Sequence, residues 1–336
     1  MMLSERRLIV KGEDKKQMNK TYLLTAFVVI FSVITFFQSF ERAQGTAIAA
    51  FYPPEIFYRD KVAVLMYHHI DEVESGATIT RERFEEHLDY LLYRGYSVIS
   101  LSHFRSFLRG EAEVPPNAVL ITFDDGYESF YQYAYPLLKE RGMSATVFMI
   151  VRHIGARYDQ IPKIDWHEMA RMIESGMYFQ SHSYDSHFYA AVNAAGNINA
   201  ALVARIYFAE EVRTEAECRA VVLRGQARQT PDVNWRNETE AEHRARVYED
   251  LRNSRVMLER RLGVRVDVFS APYGIKNAVV DEIAQEAGFD YIFTIAPGLV
   301  SAESDPMSLP RINAGSPTID GKGLHDIILR LAAGEQ

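Results

Sequence analysis

Short apolar runs separated by amphipathic stretches recur from residue 61 onward. The runs at 62–67, 119–123 and 145–150 are apolar at successive positions and rich in β-branched and aromatic residues. That is the pattern of strands buried on both faces of a parallel sheet. Between the first two, Phe84, Leu88, Leu91 and Leu92 fall at helical spacing in 80–94, behind a Thr80 start of capping type. A brief strand is predicted at 96–99 and helices at 102–108 and 127–141, the latter closed by Gly142 as a C-cap. Another helix opens at Asp165 and ends near Gly176. Further strands are predicted at 178–180, 264–269 and 291–295 and from Leu309 on, with helices at 277–287 and 324–331. Strand and helix alternate, which predicts an α/β fold, either a β/α barrel or a wound sheet. The rhythm breaks at about 190–260, where Ala-, Glu- and Arg-rich helical periodicity predicts an inserted helical excursion.

The stretch before residue 61 follows a different pattern. Residues 1–20 carry Arg6, Arg7, Lys11, Lys15, Lys16 and Lys20, and residues 21–40 contain no charge. Twenty uncharged, largely apolar residues match the hydrocarbon thickness of a bilayer, so 21–40 is predicted as a transmembrane anchor with its basic flank, 1–20, cytoplasmic. Residues 41–59, with Pro53-Pro54, read as a linker, and 60–336 as the globular domain, facing outward at the cell membrane. Ala47-Ile-Ala49 offers a cleavage site that would release the domain as a secreted protein. The 48% hydrophobic composition is that of a folded chain with a proper core. A net charge of −8 without a long basic run argues against a nucleic-acid partner. No protein partner is legible. The single cysteine, Cys218, excludes an intramolecular disulfide framework.

Candidate chemistry gathers where strands end. Val119-Leu-Ile-Thr-Phe-Asp-Asp-Gly126 runs from an apolar strand into two carboxylates and a glycine. Asp124 and Asp125 could cap the following helix. Buried carboxylates otherwise shift their pKa or find a cation. A second cluster, Ser181-His-Ser-Tyr-Asp-Ser-His187, also follows a strand-like segment, and its two imidazoles bracket a tight turn. Two His and one Asp are the ligands a catalytic zinc-type site uses while keeping a position open. The first strand delivers His68 and His69 to its carboxyl end, where a histidine bonded to backbone is the alternative.

Thr122-Phe-Asp-Asp-Gly126 resembles the first motif of polysaccharide deacetylases, the NodB-like carbohydrate esterases of family 4. Ser181 to His187 resembles their second motif in the longer-spaced form of the poly-N-acetylglucosamine deacetylase branch. Pro272-Tyr273-Gly274 resembles the third, Val64-Leu-Met-Tyr-His68 the opening motif of that branch, and Leu309-Pro-Arg-Ile312 its closing one. The resemblance spans roughly 60–315. It implies a NodB-type distorted (β/α) barrel, here with a helical insertion and one preceding transmembrane helix. It further implies metal-dependent removal of acetyl groups from an N-acetylated polysaccharide. On that resemblance Asp125, His182 and His187 bind a divalent metal, with zinc, cobalt, nickel or iron all compatible with N/O ligation. Asp124 is the base, His68 protonates the leaving nitrogen, and the backbone amide of Tyr273 helps hold the oxyanion. Arg311 is the candidate cation that orients Asp124 and keeps it ionised. The chain departs from the pattern at Ser270, where many members have arginine, at Ala271, and at Ser186, where the branch has leucine. Two other readings are a glycan-binding protein without turnover and a glycoside hydrolase with paired carboxylates.

Overall fold

In the computed structural model, the described residues are 55–335 apart from 159, 194 and 210–234. The basic segment 1–20, the expected anchor 21–40, residues 41–54 of the linker and Cys218 lie outside them. No helix among the described residues is long and apolar enough to cross a membrane. Residues 56–336 make up a compact unit of their own.

The elements that position the site are β1 (Lys61–Tyr67), α1 (Arg81–Tyr93), β2 (Ser97–Val98), α2 (Leu101–Leu108), β3 (Ala118–Phe123), α3 (Tyr135–Glu140), β4 (Thr146–Met149), α4 (Trp166–Ile173) and β5 (Tyr178–Ser181). Then come β6 (Tyr189–Ala191), β7 (Ile198–Ala200), α5 (Glu240–Leu262), β8 (Val268–Ser270), α6 (Ala278–Glu286), β9 (Tyr291–Phe293), β10 (Val300–Ser301), β11 (Ile312–Asn313) and α7 (Gly321–Ala332). Strands pair in the order β9-β8-β5-β4-β3-β1-β10, with β2 beside β3 and β11 beside β1. All these pairings are parallel except that of β10 with β1. The segment 309–313 meets both open edges of the curl: Leu309 bridges to Phe293, while Ile312 and Asn313 pair with Leu65 and Met66.

The strands are apolar on both alternations because each face meets a different core. Ala63, Leu65, Tyr67, Val119, Ile121 and Phe123 pack with the helices. Val62, Val64, Ala118, Leu120, Phe148, Val268, Phe293 and Leu309 fill the concave interior. Every residue of β3 is buried. Each large side chain so buried contributes about 1.5–3 kcal/mol.

Period two then sets what the strand ends present. The inward set 62, 64 in β1 continues to His68, 118, 120 in β3 to Thr122 and Asp124, Tyr178 in β5 to His182, and Val268 in β8 to Ser270. Where side chains at the carboxyl ends of parallel strands converge, an α/β fold builds its sites.

The 190–260 stretch differs from the helical excursion expected. Its described residues form a hairpin, β6–β7, and an antiparallel pair of Tyr207–Ala209 with Trp235–Asn237, before α5 begins. Three-residue strands take their conformation from cross-strand pairing, and so leave little local periodicity. The helix that does follow, α5, opens with a capping box at Thr239 and Glu242 and closes at Gly263 in the left-handed region. It buries Val247, Leu251 and Leu258 in the main core, so it is a structural layer rather than an excursion. The helix expected over 127–141 is present from Glu128, with one π-type turn at Phe130–Ala134 that runs into α3.

Candidate active site

Asp124 and Asp125 leave β3 in opposite directions. Asp124 continues the inward alternation, and its backbone N–H donates to the Tyr67 carbonyl at 2.9 Å. Asp125 sits at φ +69°, left-handed and uncommon for a side chain with Cβ, followed by Gly126 at φ +63°. A Cβ on Gly126 would meet only the flexible end of the Met149 side chain, so it is the left-handed φ that favours glycine at this position. The turn re-aims Asp125 toward the loop after β5. Such a conformation costs of order 1–3 kcal/mol and persists only where the surroundings impose it.

That loop carries both histidines. His182 Nε2 lies 3.4 Å from Asp125 Oδ1, and His187 Nε2 lies 3.3 Å from the same oxygen. His182 Nδ1 stands 2.7 Å from the Ser270 carbonyl, which can only accept, so Nδ1 bears the proton and Nε2 presents its lone pair. Asp125 Oδ1 is buried and accepts no hydrogen bond among the described residues. Electron-rich atoms facing one another at these distances repel unless a cation lies between them. Donors held at ~2.0–2.1 Å from one tetrahedral ion stand about 3.3 Å apart, which is the spacing of each imidazole nitrogen from Asp125 Oδ1. The donor set of Asp125, His182 and His187 fits a divalent metal.

Charge tuning follows from burial against pairing. Burial alone would raise both carboxyls. At Asp124 the Arg311 guanidinium and His182 outweigh it and hold the carboxyl down at about 2. At Asp125 the two imidazoles hold it well below the usual carboxylate range. Burial opposes protonation of His182, but the charges of Asp124 and Asp125 raise its pKa. Burial prevails at His187 and pushes it down to about 4, so it is neutral and ready to ligate near pH 7.

Arg311, only 1% exposed, pairs with Asp124 in a two-pronged geometry, Nη1 to Oδ1 and Nη2 to Oδ2, both at 2.8 Å. Its Nε donates to the Thr294 carbonyl at 2.9 Å, and Nη2 also donates to the Ser270 hydroxyl, which itself donates to Asp124 at 3.2 Å. Ser270, a departure in the sequence pattern, is thus a bridge in this network. The guanidinium further lies against the Phe148 and Phe293 rings. His68 follows Tyr67, the register partner of Phe123, which sets it beside Asp124 at neighbouring strand ends. Its Nδ1 is buried and makes no hydrogen bond among the described residues. His69, by contrast, turns away to Ser129 and Asp71. Tyr273 adopts φ +58°, and its ring packs on His187 with centroids 4.4 Å apart.

Asp250 on α5 has no motif around it, and only the tertiary structure reveals its part. Its two carboxylate oxygens accept the backbone N–H groups of Tyr184 and Asp185, each at 2.9 Å, midway between the histidines. The helix thereby grips the ligand loop. A lone aspartate in a charge-rich helix gives no sequence signal of this.

Comparison with known proteins gives a match to the family model described as polysaccharide deacetylase over residues 111–292. The poly-beta-1,6-N-acetyl-D-glucosamine N-deacetylase of Escherichia coli strain K12 is 26% identical over 263 residues, covering 74% of this chain and 36% of that protein. The chain therefore spans about a third of the length of that relative. A de-N-acetylase structure from Aggregatibacter actinomycetemcomitans superposes with TM-score 0.66 at 20% identity, over 80% of this chain and 100% of that one. The BpsB deacetylase domain from Bordetella bronchiseptica gives 0.62 at 24%, over 77% and 97%. At these identities the two structures bear on the fold.

Proposed function

The chain belongs to the polysaccharide deacetylase family, and on that premise we propose that it hydrolyses the N-acetyl group of N-acetylglucosamine in a polysaccharide, of the poly-β-1,6 type named for its relatives. The observation that carries the reading is one ion-sized gap among Asp125, His182 and His187, beside a separate carboxylate, Asp124, that Arg311 keeps ionised. The curled parallel sheet closed by 309–313 agrees with a distorted (β/α) barrel for this family.

An amide is a poor electrophile, so its hydrolysis needs a polarised carbonyl, an activated water and an acid for the departing amine. When bound, a divalent cation supplies Lewis acidity to the first two. Asp124 takes the proton from the attacking water, its lone pairs limited to one direction by the fork of Arg311. The backbone N–H of Tyr273, on its left-handed turn, donates to the oxygen that gains charge. His68 returns a proton to the leaving nitrogen, a role that suits an imidazole whose buried Nδ1 is unengaged. A paired-carboxylate glycosidase fits less well. It needs one carboxyl protonated near neutrality, and both aspartates are held far down.

Acetate release from a β-1,6-linked N-acetylglucosamine pentamer tests the reading. Release stops after dialysis against EDTA and returns with zinc or cobalt. His182→Ala and His187→Ala each lose stoichiometric metal by elemental analysis. Full metal content in both variants would remove them as ligands, and chelator-insensitive chain cleavage would favour the glycosidase.

We further propose that residues 21–40 anchor the chain with the catalytic domain outside the cell, on the charge-free run and its basic flank. The full chain then pellets with membranes after a carbonate wash, and a chain lacking residues 1–40 does not. Recovery of both in the soluble fraction would exclude the anchor.

A further inference from the structure

A ladder of rings leads from the candidate metal centre to the protein surface. His187 packs on Tyr273 with centroids 4.4 Å apart and planes at 40°, and Tyr273 packs on Tyr189 at 4.6 Å and 37°. Tyr189 is the outermost rung. It stands on β6, is 40% exposed, and no part of the mechanism above uses it.

The hairpin that carries it is firmly held. Phe188 and Ala190 join Ala201 and Ile206 in a small core of their own. The Ala201 N–H donates to the Phe188 carbonyl at 2.8 Å, and Asn237 Nδ2 donates to the Val192 carbonyl at 2.8 Å. In the β6–β7 register Tyr189 lies opposite Ala200, and Ala191 opposite Ile198. These four therefore share one face, on which buried alanines separate Tyr189 from Ile198, itself 58% exposed. Exposed large apolar side chains on a rigid element next to a reaction centre mark a binding surface. Their chemistry selects among ligands. The polar hydroxyls of a pyranose project around its rim and leave its C–H faces apolar, so a partly exposed tyrosine ring offers a flat partner for one such face while its hydroxyl stays in water.

Resting on the deacetylase reading, we propose that Tyr189, with Ile198 diagonal to it on the same hairpin face, forms a subsite that stacks the sugar ring adjoining the one whose acetyl group is removed. Tyr189 touches neither the acetyl group nor the attacking water. It sets where along a polymer the reacting residue comes to rest. The site therefore takes chains in preference to single sugars, and chain recognition lies on the 189–200 hairpin.

Initial-rate kinetics of the full-length protein, on the β-1,6 pentamer and on N-acetylglucosamine itself, test this. Tyr189→Ala raises KM for the pentamer by roughly three- to tenfold, the range of an aromatic stacking contact, with the loss falling on KM rather than kcat. Its loss of kcat/KM on the single sugar is smaller than on the pentamer, and Tyr189→Phe, which keeps the ring, restores the pentamer KM. An unchanged pentamer KM in Tyr189→Ala, or an equal loss on pentamer and monomer, would overturn the subsite. Calorimetric titration of the pentamer into EDTA-treated wild type and Tyr189→Ala reads the same contact without turnover. A wild-type protein that releases no acetate yet binds the pentamer more tightly than Tyr189→Ala would refute the deacetylase and leave the platform standing. Equal binding by an active wild type and the variant would do the reverse.

Discussion

Asp124→Asn keeps its metal and loses turnover by roughly 10²–10⁴-fold, the share a positioned general base commonly supplies. The residue is isosteric, so the shape of the site changes little, but an amide takes no proton from water near neutrality. The metal stays because its donors are Asp125, His182 and His187, with Asp124 Oδ2 4.0 Å from His182 Nε2. The substitution also leaves Arg311 as a buried cation opposite a neutral group, which lowers stability by roughly 3–5 kcal/mol. Turnover and metal content are therefore measured on the same sample, well below its unfolding temperature. Wild-type acetate release from such a sample would remove Asp124 as the base. Loss of metal in step with activity would make it a ligand instead.

Arg311→Met is expected to lose roughly 3–5 kcal/mol of folding stability, read from the denaturant midpoint. The methionine leaves a buried carboxylate without its cation, and the Thr294 carbonyl without the Arg311 donor. The pH dependence gives a sharper reading. Burial raises the Asp124 carboxyl and Arg311 is the first influence that lowers it, to about 2. In the wild type this pair adds stability that is fully present above the unfolded carboxylate value of ~3.9 and is lost as pH falls through about 2. Without the guanidinium, burial gains weight and the carboxyl pKa moves upward. The acid limb of the activity profile then shifts to higher pH, and acidification relieves the variant where it weakens the wild type. Adding Asp124→Asn to Arg311→Met returns part of the lost stability, because no unpaired charge remains. Superimposable pH profiles for wild type and Arg311→Met would sink the pairing argument.

Both predictions concern contacts between residues far apart in the chain, and that separates what was legible from what was not. Strands ending in Asp124-Asp125, in His182 and beside Ser270 could be read directly, since apolar runs, period-two alternation and punctuating glycines are properties of neighbouring residues. The ligand types could be read for the same reason. Arg311 could be named as a candidate cation, but its two-pronged grip on Asp124, 187 residues away, needed the sheet to curl until 309–313 met both β1 and β9.

The region between 190 and 260 was the least legible. Alanine and arginine there suit a helix in isolation, and at β6 and β7 cross-strand pairing overrode that preference. Asp250 belonged, by pattern alone, to a solvated helix face. It is instead buried against the histidine loop, 65 and 66 residues away. The sequence by itself determined the alternation of strand and helix, the end of the sheet where chemistry gathers, and which side chains could ligate or move protons. The division of the two carboxylates, Asp125 toward the imidazoles and Asp124 toward Arg311, was already implied by the motif resemblance, whereas only the tertiary structure decided what grips the ligand loop and where a ring ladder reaches solvent. The reason is physical. A residue's alternation and type are local facts, whereas a partner across space exists only once burial has brought distant segments into contact and pairing has offset the cost of burying their charges.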